Sequence, residues 1–80
     1  MHELGVLRYV VMTVAKLAKE NKISEIKFIT LEVGEESSYV PHYLEKLFPT
    51  ALRFHPEIGV PELKLIQVVG NKLQIKEFGY

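Results

Sequence analysis

Cysteine is missing from this 80-residue chain. That excludes disulfides and thiolate metal sites within it. A surplus of positive charge is missing as well, because ten basic and ten acidic residues cancel. No Lys/Arg cluster supplies the electrostatic footprint of a nucleic-acid binder. No apolar run approaches the ~20 residues of a membrane-spanning helix. The chain opens on His2 and Glu3 rather than on a basic segment, so no secretory leader is expected. Repeats, low-complexity tracts and linkers are also lacking. What remains is a composition of 48% hydrophobic and 25% charged residues, which suits a globular protein and not a disordered one. The expectation is a single cytoplasmic domain with one modest core, engaging neither nucleic acid nor membrane.

Helical periodicity runs from about Glu3 to Asn21. Leu4, Val6, Leu7, Val10, Val11, Val14, Ala15, Leu17 and Ala18 fill an apolar arc about 180° wide, broader than a simple surface helix needs. Tyr9 and Met12 fall on the polar side, among Arg8, Thr13, Lys16, Lys19 and Glu20. Asn21 tolerates a left-handed conformation and marks the stop. Glu25 to Val33 alternates as a strand, with Ile29, Leu31 and Val33 on one face and Ile26, Phe28 and Thr30 on the other. Gly34 ends it. Pro41 suits the first position of a second helix. Pro49 lacks the N–H that would bond back to Glu45, which predicts a stop or kink there. Thr50 to Pro61 reads as an irregular connection with one helical turn. Glu62 to Val69 is a second strand, Gly70-Asn71 a two-residue hairpin signal, and Lys72 to Phe78 the returning strand. The order predicts an α+β fold with two helices on one face of a three-stranded sheet. Ile29, Leu31, Val33, Leu63, Leu65, Leu73 and Ile75 would face the helices. Phe28, Ile66, Val68 and Phe78 would lie on the outer face, an apolar patch of the kind that marks interfaces.

Most candidate chemistry is thin. His42 and His55 sit at ligand spacing from no other histidine, and a surface or capping role is the simpler reading. Glu35-Glu36 reads as a solvated loop. Ser37-Ser38 lacks the context of a nucleophile elbow. Gly34 and Gly59 do not form a phosphate loop. No paired-carboxylate or nucleophilic arrangement points to an enzyme.

Met1-His2-Glu3 is different. A free α-amino group, the His2 imidazole and the intervening backbone amides put four nitrogens within reach of one ion. If the amides deprotonate, the ligands lie in a plane, which suits Ni(II) or Cu(II) and not zinc. Glu3 in the first turn favours the helix dipole, and its carboxylate could orient the ligands. Read by itself, the triplet is equally an ordinary helix start.

The rest of the chain adds context. Met1-His2-Glu3-Leu4, Thr30-Leu31-Glu32-Val33-Gly34-Glu35, Ser37 with Val40-Pro41 and Leu44, Glu62-Leu63-Lys64-Leu65 and Lys72-Leu73-Gln74-Ile75-Lys76 resemble the HypA/HybF family of hydrogenase nickel-insertion proteins. The resemblance spans almost the whole chain. It implies nickel delivery to hydrogenase, and in some cases urease, with a partner GTPase. It also implies a nickel site at the Met1 amine, His2 and the His2–Glu3 backbone. Family members carry a zinc module with two CxxC pairs between the last two strands. Here that place holds Val69-Gly70-Asn71, so the expectation is a nickel-binding domain with a hairpin turn in place of the module and no bound zinc.

The leading expectation is therefore a non-catalytic Ni(II)-binding accessory protein acting with a maturation GTPase or a hydrogenase precursor. The alternative is an interaction or regulatory module that keeps the fold without metal delivery. Tyr9, Met12, Phe28, Ile66 and Val68 are the candidate interface, for a homodimer or a different partner, with the sheet face favoured.

Overall fold

In a computed structural model that describes residues 2–80, α1 spans Glu3–Glu20. Leu7, Val10, Val11, Val14, Ala15 and Ala18 of its apolar arc are buried. The helix stops at Asn21-Lys22 as predicted, but the left-handed residue is not Asn21. Asn21 keeps a negative φ, and Lys22 takes the left-handed conformation at φ 59°. The Ile23 N–H then reaches back to the Ala18 carbonyl at 2.8 Å and the Lys22 N–H to Lys19 at 3.2 Å. This paired closure satisfies the last carbonyls and turns Ile23 onto the core. The Asn21 side chain contributes differently, donating to the Leu17 carbonyl at 2.8 Å.

The strands are β1 (Phe28–Gly34), β2 (Glu62–Val68) and β3 (Leu73–Gly79), and the second helix, α2, is Pro41–Leu52. Together they form the α+β arrangement predicted, two helices and a three-stranded sheet in the order helix, strand, helix, strand, strand. The core is where the alternation puts it. Ile29, Leu31 and Val33 are buried with the apolar faces of both helices, and Leu63, Leu65, Leu73 and Ile75 pack against them.

Four predicted details differ. The hairpin is absent: β2 and β3 are not neighbours, and the sheet order is β2-β1-β3. β1 pairs parallel with β2 and antiparallel with β3. Gly70-Asn71 therefore belongs to a bridge that crosses the end of β1. Gly34 donates to the Lys72 carbonyl, Glu35 to Val68 and Glu36 to Gly70, at 2.7–2.8 Å. Second, Phe78 faces the helices. A bulge opposite Thr30/Leu31 inserts Lys76 between paired residues, and one extra residue exchanges the faces of everything beyond it. Third, α2 runs through Pro49 to Leu52. Pro49 is exposed, so the unbonded Glu45 carbonyl can turn to water, while burial of Phe48, Ala51 and Leu52 holds the turn. Fourth, β1 starts at Phe28, and Ile26 is turned inward, its N–H on the carbonyl of Ile58 in a short 3₁₀ turn at Pro56–Ile58.

The crossing bridge explains Gly34. A Cβ there would overlap the Gly70 carbonyl and lie 2.7 Å from the Gly70 carbonyl carbon and 2.8 Å from the Lys72 nitrogen. These are backbone atoms and cannot rotate away. Gly34→Ala should therefore destabilise the domain by about 2–3 kcal/mol, at the upper end of overpacking costs. Urea unfolding measures this, and an unchanged midpoint would remove the close-crossing account.

Candidate functional site

The predicted metal site lies where α1 begins. Met1, its first expected ligand, lies outside the described residues. His2 occupies the N-cap position, exposed, with φ −113° and ψ 40° and no capping hydrogen bond from its side chain. Its carbonyl accepts the first helical bond, from the Val6 N–H at 3.0 Å. The N–H groups of the first helical turn have no partner in the helical ladder. The helix does not engage these nitrogens, although the Glu3 N–H serves its own carboxylate, and the His2 imidazole is open to solvent. Both features suit a chelate built from a terminus.

Glu3 is the surprise. It is one of two polar residues buried among those described, with only 4% exposure. Its Oε2 accepts the Val40 N–H at 3.0 Å, across 37 residues of chain. Val40 is the N-cap of α2 and has no side-chain cap of its own, so the carboxylate caps a second helix from outside it. A negative charge at two helix N-termini is favoured by both dipoles. The charge of the amino terminus and the Val40 N–H lower the Glu3 pKa to about 2. The Glu3 carboxylate has a concrete partner in Val40, which is not one of the predicted metal ligands. Sequence reasoning did not find Val40, because only its backbone takes part and nothing local links positions 3 and 40.

The other candidates are placed as follows. His42 is exposed in the first turn of α2, its ring 5.9 Å from that of Tyr43. His55 is half-buried, and its Nδ1 lies 3.0 Å from Glu57 Oε2. That hydrogen bond holds the Glu57 carboxyl below its ordinary value. Glu35 and Glu36 are exposed, and the Ser37 hydroxyl donates to the Gly34 carbonyl at 2.7 Å, closing a turn. Among the described residues no three His, Asp or Glu side chains gather as a metal cage.

The interface candidates separate into two groups. Tyr9 and Met12 are 62% and 47% exposed on α1. On the outer sheet face Phe28 and Val68 are half-buried and Ile66 is exposed. The Lys64 ammonium sits 4.3 Å above the Phe28 ring, and Gln74 donates to Glu32 at 2.8 Å beside Ile66. With Phe78 turned inward, the sheet face is more polar than the strand alternation implied.

Glu3 has a consequence for acid stability. A carboxylate whose pKa is lower in the folded state stabilises the fold above its ordinary value near 4.5, and that stabilisation is lost as pH falls towards 2. Wild-type protein should lose stability across this window, and Glu3→Gln should lose less of it while starting lower at neutral pH. Urea midpoints from pH 7 to pH 2 test this; parallel curves would mean that Glu3 is not the titrating group.

Comparison with known proteins accords with this geometry. No curated protein sequence matches the chain. A family model described as hydrogenase/urease nickel incorporation, metallochaperone, HypA matches residues 1–76. A match over nearly the whole chain shows that the chain belongs to the HypA family of hydrogenase and urease nickel-incorporation metallochaperones.

Proposed function

We propose that this chain binds Ni(II) at its amino terminus and passes it to a nickel enzyme such as a hydrogenase, without catalysis of its own. The observation that carries the reading is the state of the His2 terminus, with its imidazole free of any capping bond and its backbone nitrogens outside the helical ladder. With Met1 as the first residue, the amine, the His2 imidazole and the amides of His2 and Glu3 supply the four nitrogens. Square-planar nitrogen coordination favours Ni(II), whereas zinc prefers a tetrahedral set. The Glu3 carboxylate holds the adjoining turn in place through Val40 and leaves coordination to nitrogen. Transfer is an exchange of ligands: an acceptor displaces the nitrogens in turn, which a site at a chain end permits better than an enclosed cage. The recipient is a maturation GTPase or the enzyme precursor itself, and zinc takes no part within these residues.

The test is a side-by-side titration of three proteins with Ni(II): one beginning at Met1, one with an extra residue before Met1, and His2→Ala. The first should bind one ion and turn yellow and diamagnetic. The other two should bind at least about 100-fold more weakly, because losing a direct ligand exceeds the cost of losing a group that only orients one. Equal binding by all three, or by none, would overturn the terminal site.

A further inference from the structure

Three features meet on the solvent face of α1, and the core accounts for none of them. Tyr9 and Met12 are 62% and 47% exposed, large apolar groups on the side of the helix that faces away from the core. Gly5 lies one turn before Tyr9. A helix-interior glycine weakens the helix relative to alanine. Yet a Cβ at Gly5 would meet nothing within 4 Å, and its φ is not positive, so neither space nor backbone demands glycine there. The third feature is charge. Among the exposed charged residues of α1, Arg8, Lys16 and Lys19 are basic and Glu20 alone is acidic, in a chain whose total charge is zero.

Helical spacing joins these features. Positions 2, 5, 9, 12 and 16 recur at intervals of three and four, so they line one stripe that begins at His2. A notch of about 260 Å³ opens on this stripe, lined by Gly5, Arg8, Tyr9, Met12, Phe54 and His55. Its wall is fixed by the Arg8 guanidinium, 4.0 Å above the Phe54 ring. A second groove, of about 440 Å³, continues past Met12 to Lys16 and Leu17 and ends at Glu20.

We propose that this stripe docks an acidic segment of a partner protein. Its apolar anchors seat on Tyr9 and Met12, its carboxylates meet Arg8 and Lys16, and its backbone packs over Gly5. A missing Cβ is what a close backbone approach requires. It also explains why the helix carries a residue that the domain itself does not need. A second copy of this chain is a poor occupant, since a two-fold contact would set the basic residues against themselves. A lipid surface would match the charge but gain nothing from Gly5. Because Gly5 lies one turn from His2, the docked segment reaches the metal terminus. That last placement rests on the nickel reading, whereas the docking does not.

The probe is a fluorescently labelled helical peptide with leucines at i, i+3, i+4 and i+7 and glutamates elsewhere. A second peptide replaces every glutamate with lysine. Anisotropy is measured on nickel-free protein, with and without an extra residue before Met1. The acidic peptide should bind, and the lysine peptide should bind about tenfold more weakly or less. The double variant Tyr9→Ala/Met12→Ala and, separately, Lys16→Glu should each weaken binding of the acidic peptide by about tenfold or more. Gly5→Ala is the sharpest arm: it should melt at a higher temperature yet bind the peptide more weakly, a combination that a purely structural role cannot produce. Equal binding of the two peptides, no binding of the acidic one, or wild-type binding by Gly5→Ala would overturn the proposal. So would binding to phosphatidylserine vesicles, or self-association lost in Tyr9→Ala/Met12→Ala, in place of peptide binding. Protein extended before Met1 should keep the docking while losing nickel. If docking fails where the nickel titration succeeds, the docking proposal falls and the nickel site stands.

Discussion

β1 is hydrogen-bonded along both of its edges, to a parallel strand on one side and an antiparallel one on the other. The remaining geometry depends on that. A parallel partner needs a crossover, and α2 supplies it, which lays α2 on the sheet beside α1. An antiparallel partner on the far edge obliges the chain to pass over the end of β1. That passage requires the bare Gly34, because Gly70 and Lys72 lie directly above it. Ile29, Leu31 and Val33 then have no route to solvent, since strands flank them and helices cover them.

α1 carries two opposed demands. Its inner face supplies six of the fifteen buried core residues, so it must stay well packed. On the nickel reading proposed above, its first turn must also hold an accessible terminus. Glu3 reconciles the two by reaching past its own helix to the start of α2. The carboxylate is buried and paired, and His2 immediately before it is exposed. Close packing therefore extends to the Glu3 side chain, and exposure begins at His2.

The element order and the inner face of the sheet were legible because they are written in local patterns. Val10, Val11 and Val14 recur at helical spacing, and Ile29, Leu31 and Val33 alternate. The strand neighbours were not legible. Gly70-Asn71 between two alternating runs reads alike whether the runs pair or straddle a third strand, and only the three-dimensional competition for β1 decides. The bulge at Lys76 has no sequence mark, so Phe78 was assigned the wrong face. Pro49 marked a real loss of a hydrogen bond, but the buried turn beyond it outweighs that loss. At the candidate site, the place of His2 at an exposed helix start could be read because it depends on local sequence alone. The bond from Val40 to Glu3 could not, since any non-proline residue offers the same N–H.

The strand order also governs the sequence of events as the chain is made. Phe28 must wait for Glu62 to arrive on one side and Gly79 on the other. A nascent chain that ends anywhere before residue 62 holds β1 with both edges bare, and one that ends before residue 73 holds it with one edge bare. Such an edge is a template for pairing with a neighbouring chain. The two edges of β1 are thus covered in turn, the second only when residues 73–79 close onto it.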